Sequence, residues 1–461
     1  MNAKRFTTAA LLGVALTTPA WAQSAGGQTS PYFGSAPTGT ATAEPLALSL
    51  KDTVGRALEH NLALMLQEES SRTSRGARLR ALSDLLPHVT GSLGERRQVL
   101  NLEAFGFPAP DPIVGPFNVF DARVNLSQPL IDLQAWHDNK AAVLNQQAAV
   151  HGVRSARELV VLVSVDLYLE AIAAASRIDV ARAQQATAEA LLTQTQNLKT
   201  SGLVAGIDVL RAQVQVQNQR QRRLVAENDF EKAKLKLARA IGLPLGQTVT
   251  LTDTIPYSPL DAVPLDKALA DAYTQRADYL AARDQLAAAE ASERAATAEL
   301  LPSLHFDADF GTIGQRVAGA HPTYAIGATL RVPIFEGRRT EGKRIEAGAL
   351  VRQRQVEYDD LRGRIDMEVR TAALDVSAMS QQLDAVRTTV DLANQELVQA
   401  RDRFAAGVAG NLEVTQAQES VASASDRYID ALFNHNLAKA SLARAVGIAE
   451  QAVTTFLGGS K

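Results

Sequence analysis

The chain has no cysteine among its 461 residues. Disulfides, thiolate metal sites and thiol nucleophiles are therefore all excluded. Lipid attachment through an N-terminal cysteine is excluded as well, so membrane association would have to come from the fold. An excess of positive charge is also missing: 47 Lys and Arg stand against 50 Asp and Glu, a net charge of −3. Without a basic surplus to neutralise phosphates, nucleic acid is not an expected partner. Long uncharged apolar runs are lacking too. The most apolar segment after the N-terminus, Leu159 to Ala175, is interrupted by Asp166 and Glu170, whereas a spanning helix needs about 20 nearly uncharged residues. A closed β-barrel is the other structure that lipid permits. No HExxH, GxSxG, GxGxxG or GxxxxGK[ST] pattern occurs. The seven histidines show no ligand-like pairing, and His137 and His151 are expected at the surface of a polar helix. Asp307 and Asp309, two apart, read as residues sharing one strand face rather than a metal site. Neither an enzyme nor a cofactor is expected.

What is present begins with an export signal. Lys4 and Arg5 precede a mostly small and apolar stretch, Phe6 to Leu16, and Ala20-Trp21-Ala22 offers a cleavage site. Residues 1–22 read as a secretory signal peptide. Residues 23–45, rich in Gly, Ser, Thr, Pro and Ala, read as an extended arm.

The remainder is duplicated. Leu50, Val54, Ala57 and Leu58 lead to Leu85-Leu86-Pro87, and 215 positions later Leu265, Leu269, Ala272 and Tyr273 lead to Leu300-Leu301-Pro302. Val124-Asn125-Leu126 to Pro129 recurs 204 positions on as Ala328-Thr329-Leu330 to Pro333. The segment Leu237–Gly242 returns as Leu442–Gly447, at the same offset of 205 that relates Gly202 to Gly407 and Asp208 to Glu413. The first repeat is assigned to 46–242, a linker to 243–264, the second repeat to 265–449 and a tail to 450–461. Each repeat reads as helix, strand, loop, strand, long helix, tight turn, helix.

Periodicity supplies the detail. Val376, Met379, Leu383, Val386, Val390, Ala393, Leu397, Ala400 and Phe404 alternate steps of three and four, which makes a heptad seam. Ala171, Ala174, Ile178, Ala181, Ala188 and Leu192 form the smaller-residue counterpart. The helix after the first turn carries two seams, Ile207, Leu210 and Val214 beside Val209, Ala212 and Val216. A helix with two seams touches two neighbours. No proline interrupts Leu133 to Lys199, a rod about 100 Å long at 1.5 Å per residue. Helices ending at Pro87 and starting near Ile207, each about half that length, would stack against it. Such rods need partners.

Four strands are expected, at about 88–102, 117–130, 303–316 and 323–334. Leu304, Phe306, Ala308 and Phe310 alternate with His305, Asp307, Asp309 and Gly311; Tyr324, Ile326, Ala328 and Leu330 alternate likewise. That is membrane-barrel patterning, but four strands cannot close a barrel whose smallest membrane form has eight. Several protomers must contribute.

Together the signal peptide, the duplicated unit, Gln128-Pro129-Leu130, Val332-Pro333-Ile334, and the Gly-containing turns before Asp208-Val209-Leu210 and Glu413-Val414 resemble the TolC family of outer-membrane efflux channels. The resemblance covers nearly the whole chain. It implies a mainly α fold with membrane β, in which a homotrimer forms a 12-stranded β-barrel continued by a 12-helix α-barrel tunnel. The implied location is the Gram-negative outer membrane, in contact with its lipid, with the tunnel in the periplasm. The linker and tail would make an equatorial belt. A periplasmic adaptor and an inner-membrane transporter, of RND type first and MFS or ABC type otherwise, are the implied partners. The function implied is passage of drugs or other small molecules. A type I protein secretion duct of the same fold, and a soluble periplasmic coiled-coil scaffold, stand as alternatives.

At the tunnel's periplasmic end the resemblance places acidic rings. Glu413 matches such a position, Gln416 stands where relatives can carry a second acid, and Phe404 lacks the hydroxyl with which a tyrosine would bond Asp208. The expected aperture is thus one acidic ring from Glu413, with the gate held by Phe404 packing and by contacts of Asp208. Simple compensation of the helix dipole is the competing account of both carboxylates. Gly202, Gly206, Gly407 and Gly410 mark the helix turns expected to meet the adaptor.

Overall fold

The computed structural model describes residues 30–107, 110–255, 257 and 264–455. The expected signal peptide, arm residues 23–29 and the end of the tail, 456–461, lie outside the described residues.

Helix formation follows the seams. Helix α3 (Leu133–Thr200) runs 68 residues without a break, and α7 (Arg339–Ala405) runs 67. Every residue of the α7 seam is buried or half-buried, from Val376 to Phe404. Helices α4 (Gly206–Ala240) and α8 (Asn411–Val446) follow the two turns. The contact order is α2 and α4, then α3, then α6 and α8, then α7, where α2 is Leu62–Ser83 and α6 is Ala277–Ala298. The four rods lie side by side in this order.

The apolar stretch of α3 is long and apolar enough by composition to cross a membrane, yet 61% of it is buried within the fold. This corrects the expectation that no segment passes that test. Its apolar residues, among them Val160, Val161, Val165, Leu169 and Ile172, pack in the main core with Leu48, Val54, Leu64 and Leu237.

Of the half-length helices, α4 is continuous as expected, but the helix leading to Pro87 and its repeat leading to Pro302 are each broken into two: α1 (Leu50–His60) precedes α2, and α5 (Leu265–Gln275) precedes α6. The breaks fall at Asn61 and Arg276, both extended. Asn61 caps the next helix by accepting from the Ala63 N–H at 3.0 Å, which satisfies an orphan donor. Both joints press on a left-handed glycine at the end of the repeat's last helix. A Cβ on Gly242 (φ +75°) would meet His60 Cβ at 2.5 Å, and one on Gly447 (φ +89°) would meet the Arg276 nitrogen at 2.9 Å.

Around this middle level a belt is assembled. Two short strands absent from the four expected make it: β1 (Leu46–Leu48), at the start of the first repeat, pairs in parallel with β4 (Val249–Leu251) of the linker. The Tyr168 hydroxyl lies 2.9 Å from Asp253 Oδ2 and 3.0 Å from the Leu48 carbonyl oxygen, tying the belt to α3. The described part of the arm is docked rather than free: the Ala36 N–H donates to the His60 carbonyl and the Thr38 N–H to that of Gly242. The tail opens as a helix, α9 (Ala449–Thr455), held to α3 by Arg157–Glu450 at 2.7 Å.

Above one end of the rods, β2 (His88–Asn101), β3 (Ile113–Ile131), β5 (Ser303–Gly314) and β6 (His321–Arg331) form one antiparallel sheet in the order β2-β3-β5-β6. Strand β3 starts four residues earlier than expected, and β6 ends three residues sooner. Among the described residues, the outer edges of β2 and β6 are unpaired.

Candidate functional site

Two regions carry the functional geometry: the sheet at one end and the paired helix turns at the other.

Register divides the sheet into two chemically distinct faces. On one, Val89, Leu126, Ala308 and Ile326 align across all four strands, as do Gly91, Val124, Phe310 and Tyr324. Phe310, Tyr324 and Ile326 are 65%, 74% and 69% exposed. Such a contiguous apolar face is foreign to a water-soluble surface. On the other face lie His88, Ser127 and Asp307, then Asn125 and Asp309, then Ser92, Arg123 and Thr323. Arg123 crosses Gly311, the residue opposite it, to pair with Asp309 and to approach Thr323 Oγ1 at 3.4 Å, while its Nε lies 3.3 Å from Asp121. Ser127 donates to Asp307 at 2.7 Å. Arg123 is only 23% exposed as a side chain, covered by the carboxylates it pairs with on this polar face. Asp307 and Asp309 share this face, as the sequence implied, and no group of potential metal ligands occurs among the described residues.

The helix turns at the far end are near copies. Gly202 (φ +75°) and Gly407 (φ +74°) take left-handed conformations that favour glycine at a helix C-terminus. Past each glycine the next residue's N–H bonds back into the helix, Leu203 to Leu198 and Val408 to Arg403. Leu203 and Val408 are each 72% exposed. Gly206 opens α4 and Gly410 caps α8; all four glycines are exposed.

Placement of the expected gate residues is mixed. Phe404 is buried among Leu191, Leu397, Ala400, Val414 and Ala417, so it closes the interior of the turn rather than an aperture. Asp208 lies 3.4 Å from Arg211. Glu413 does not stand alone: Arg403 Nε is 3.0 Å from its Oε1. Within the chain Glu413 thus carries a carboxylate–guanidinium pair, because α7 returns an arginine to the start of α8. Gln416 is exposed and makes no acidic contribution.

Some functional residues escaped the sequence reading. Asn411, almost fully buried, donates from Nδ2 to the Asp208 carbonyl oxygen at 3.0 Å and so ties the two turns together. Its signal was present in the repeat, since Asn411 replaces Gly206 at the equivalent position. Higher up, Glu419 of α8 receives Arg222 at 2.7 Å and Gln215 at 2.9 Å from α4. Burial pushes the Glu419 carboxyl up, but the Arg222 and Gln215 bonds outweigh it and hold the group below the usual range. His151, expected at the surface, is half-buried with Asp284 at 3.5 Å, and His137 is half-buried too.

The known proteins agree with this geometry. The profile of the outer membrane efflux protein family matches residues 53–243 and 268–448, the two repeats without the linker. Pyoverdine export outer membrane protein OpmQ of Pseudomonas aeruginosa is 26% identical over 415 residues, 87% of this chain and 85% of that protein. Alkaline protease secretion protein AprF of the same species is 23% identical over 418 residues, 89% of this chain and 86% of that one. Among solved structures, the Campylobacter jejuni CmeC outer membrane channel superposes with a TM-score of 0.76 at 17% identity, covering 87% of this chain and 86% of that one. Vibrio cholerae VceC gives 0.74 at 19%, covering 86% and 96%. The chain belongs to the outer membrane efflux protein family, the TolC-like outer-membrane channels.

Proposed function

We propose that three copies of this chain form a passive exit duct through the outer membrane, in which twelve strands close a barrel and twelve helix segments continue it as a periplasmic tunnel. The single observation that carries this reading is the four-stranded sheet with one apolar face, one charged face and, among the described residues, two unpaired edges. An open edge beside lipid leaves backbone groups unsatisfied, and closure with further copies removes it.

The duct takes small molecules from an inner-membrane transporter, RND type foremost and MFS or ABC type otherwise, through a periplasmic adaptor. The family and relatives named for pyoverdine export support small-molecule cargo, while AprF, named for protease secretion, keeps a protein secretion duct as the second reading. The exposed apolar tips Leu203 and Val408, set on Gly202, Gly206, Gly407 and Gly410, suit the adaptor's docking face. The aperture is lined at Glu413, Asp208 and Gln416, with Phe404 and Asn411 holding the turns together behind it.

Purified protein reconstituted in planar bilayers tests this. Stepwise ohmic conductance without any energy source is expected. Protein released by osmotic shock without detergent, giving no conductance, would instead establish a soluble scaffold.

A further inference from the structure

We infer that β6 of one protomer pairs with β2 of the next in one defined register, Leu330 opposite Leu93 and Thr329 opposite Gly94, and that this seam sets Arg96 opposite Gly327 in the lumen. The inference rests on the closed-barrel reading above.

The argument uses the repeat as a template. Strand β2 maps onto β5 (His88 to Ser303) and β3 onto β6 (Ser127 to Arg331). The register obeys that mapping: His88–Ser127 and Ser303–Arg331 pair, as do Val89–Leu126 and Leu304–Leu330, and Thr90–Asn125 and His305–Thr329. The two hairpins are one hairpin used twice. Inside the chain they join through Asn125–Asp309, Leu126–Ala308 and Arg123–Gly311. A barrel of alternating equivalent hairpins repeats that junction where the second hairpin meets the first hairpin of the next copy. Carrying Asn125 to Thr329 and Asp309 to Gly94 defines the seam; Leu330–Leu93 and Gly327–Arg96 follow.

Independent observations agree with the result. Leu330 and Leu93 both lie on the apolar face, and Thr329 and Gly94 both on the polar face, whereas a slip of one residue would turn lipid-facing side chains into the lumen. The bulge that sets Ile131 opposite Leu304 carries over to place Phe335 opposite Val89. Phe335 is 86% exposed in a single protomer, and the seam gives it a neighbour.

The seam also has an electrostatic consequence. Arg123 opposite Gly311 becomes Gly327 opposite Arg96, so the guanidinium changes strand but keeps its level. Three copies then carry six arginines around one level of the lumen. Each Arg123 is held by Asp121 and Asp309. At the seam the equivalent positions are Ala325 and Gly94, and Asp121, the diagonal neighbour of Arg96 in its own sheet, is already engaged by Arg123. The three Arg96 side chains therefore attract anionic solutes and set the selectivity of the barrel.

The absence of native cysteine makes the test clean. Leu93 and Leu330 sit on opposite outer strands of one sheet, so a disulfide between them joins only different copies. The double variants L93C/L330C and G94C/T329C would be oxidised in outer-membrane vesicles and resolved on denaturing, non-reducing gels. Successive antiparallel pairs alternate between wide and narrow Cα spacing, so at least one double variant meets disulfide geometry. Covalent dimers and trimers are expected, at least tenfold more abundant than from the shifted pair S92C/T329C. Stronger linkage of the shifted pair, or no linkage in an intact trimer, overturns the register while leaving the closed barrel standing. Absence of linkage together with a single-chain mass in detergent overturns the barrel itself. In bilayers, Arg96→Gln should shift the reversal potential towards cation preference by severalfold in permeability ratio, and Arg96→Lys should restore it. An unchanged potential for Arg96→Gln in a correctly linked barrel overturns the ring.

Discussion

At the scale of single residues, the meaning of a charge depends on what the next turn of chain brings to it. Glu413 stands in the first turn of α8, where a carboxylate favours the helix dipole by about 0.3–1 kcal/mol. Arg403, at 3.0 Å, adds an exposed ion pair worth no more than about 1 kcal/mol. Removing one partner unmasks the other. Arg403→Ala should raise cation preference in bilayers severalfold, and Glu413→Ala should lower it; equal selectivity in both variants would leave only the dipole account. Asn411 acts differently, because its amide joins two turns that carry no other side-chain bond between them among the described residues. Asn411→Ala removes a hydrogen bond worth roughly 0.5–1.5 kcal/mol and should raise the open fraction of the channel up to about tenfold, read as single-channel open probability. The carboxylate positions were legible from the repeat, and Phe404 burial from its heptad. The Arg403 pairing was not, since it spans a turn whose geometry depends on Gly407 taking a left-handed φ.

At the scale of elements, periodicity located the rods within a residue or two and missed what breaks them. Nothing in the apolar spacing of Leu50 to Leu58 marks Asn61 as extended. The break comes from packing of His60 against Gly242, a contact between residues far apart in sequence. Its counterpart holds a buried knot: Arg276 binds Asp278 and Glu368, both at 2.6 Å. Arg276→Ala leaves Asp278 without its guanidinium and Glu368 with Arg444 alone, at 3.7 Å, and should cost about 1.5–3 kcal/mol, measured as a lowered denaturation midpoint. The Glu419 network sets a pH dependence. Its folded carboxyl lies below the usual range, so its contribution is complete above the unfolded value near pH ~4.3 and is lost as pH falls through the lower folded value. Wild type and Glu419→Gln should therefore differ in Tm at pH 6 and converge in stronger acid; a constant difference would remove Glu419 from the latch between α4 and α8. In the sheet, alternation alone identified both faces, whereas the pairing of Arg123 with Asp121 and Asp309 became visible only once the strands were in register. Ile326→Lys, on the apolar face, should cost roughly 2–4 kcal/mol in the proposed barrel near the bilayer midplane, seen as loss of heat-modifiable, detergent-extracted protein.

At the scale of the whole molecule, one protomer is an unfinished object. Its apolar sheet face, its two strand edges, and the second α4 seam of Ile207, Leu210 and Val214 are all open. The other α4 seam, at Val209 and Ala212, is buried within the chain. Exposed α7 residues such as Leu392 and Val398 lie on the opposite border of the layer, where the α4 seam of a neighbouring copy would meet them. Closure in three accounts for all these surfaces at once. The measurement that tests this most directly is the protein mass of the detergent-extracted particle by light scattering with the detergent contribution subtracted. The account predicts a monodisperse particle of three chains; a monodisperse single chain in mild detergent would contradict it.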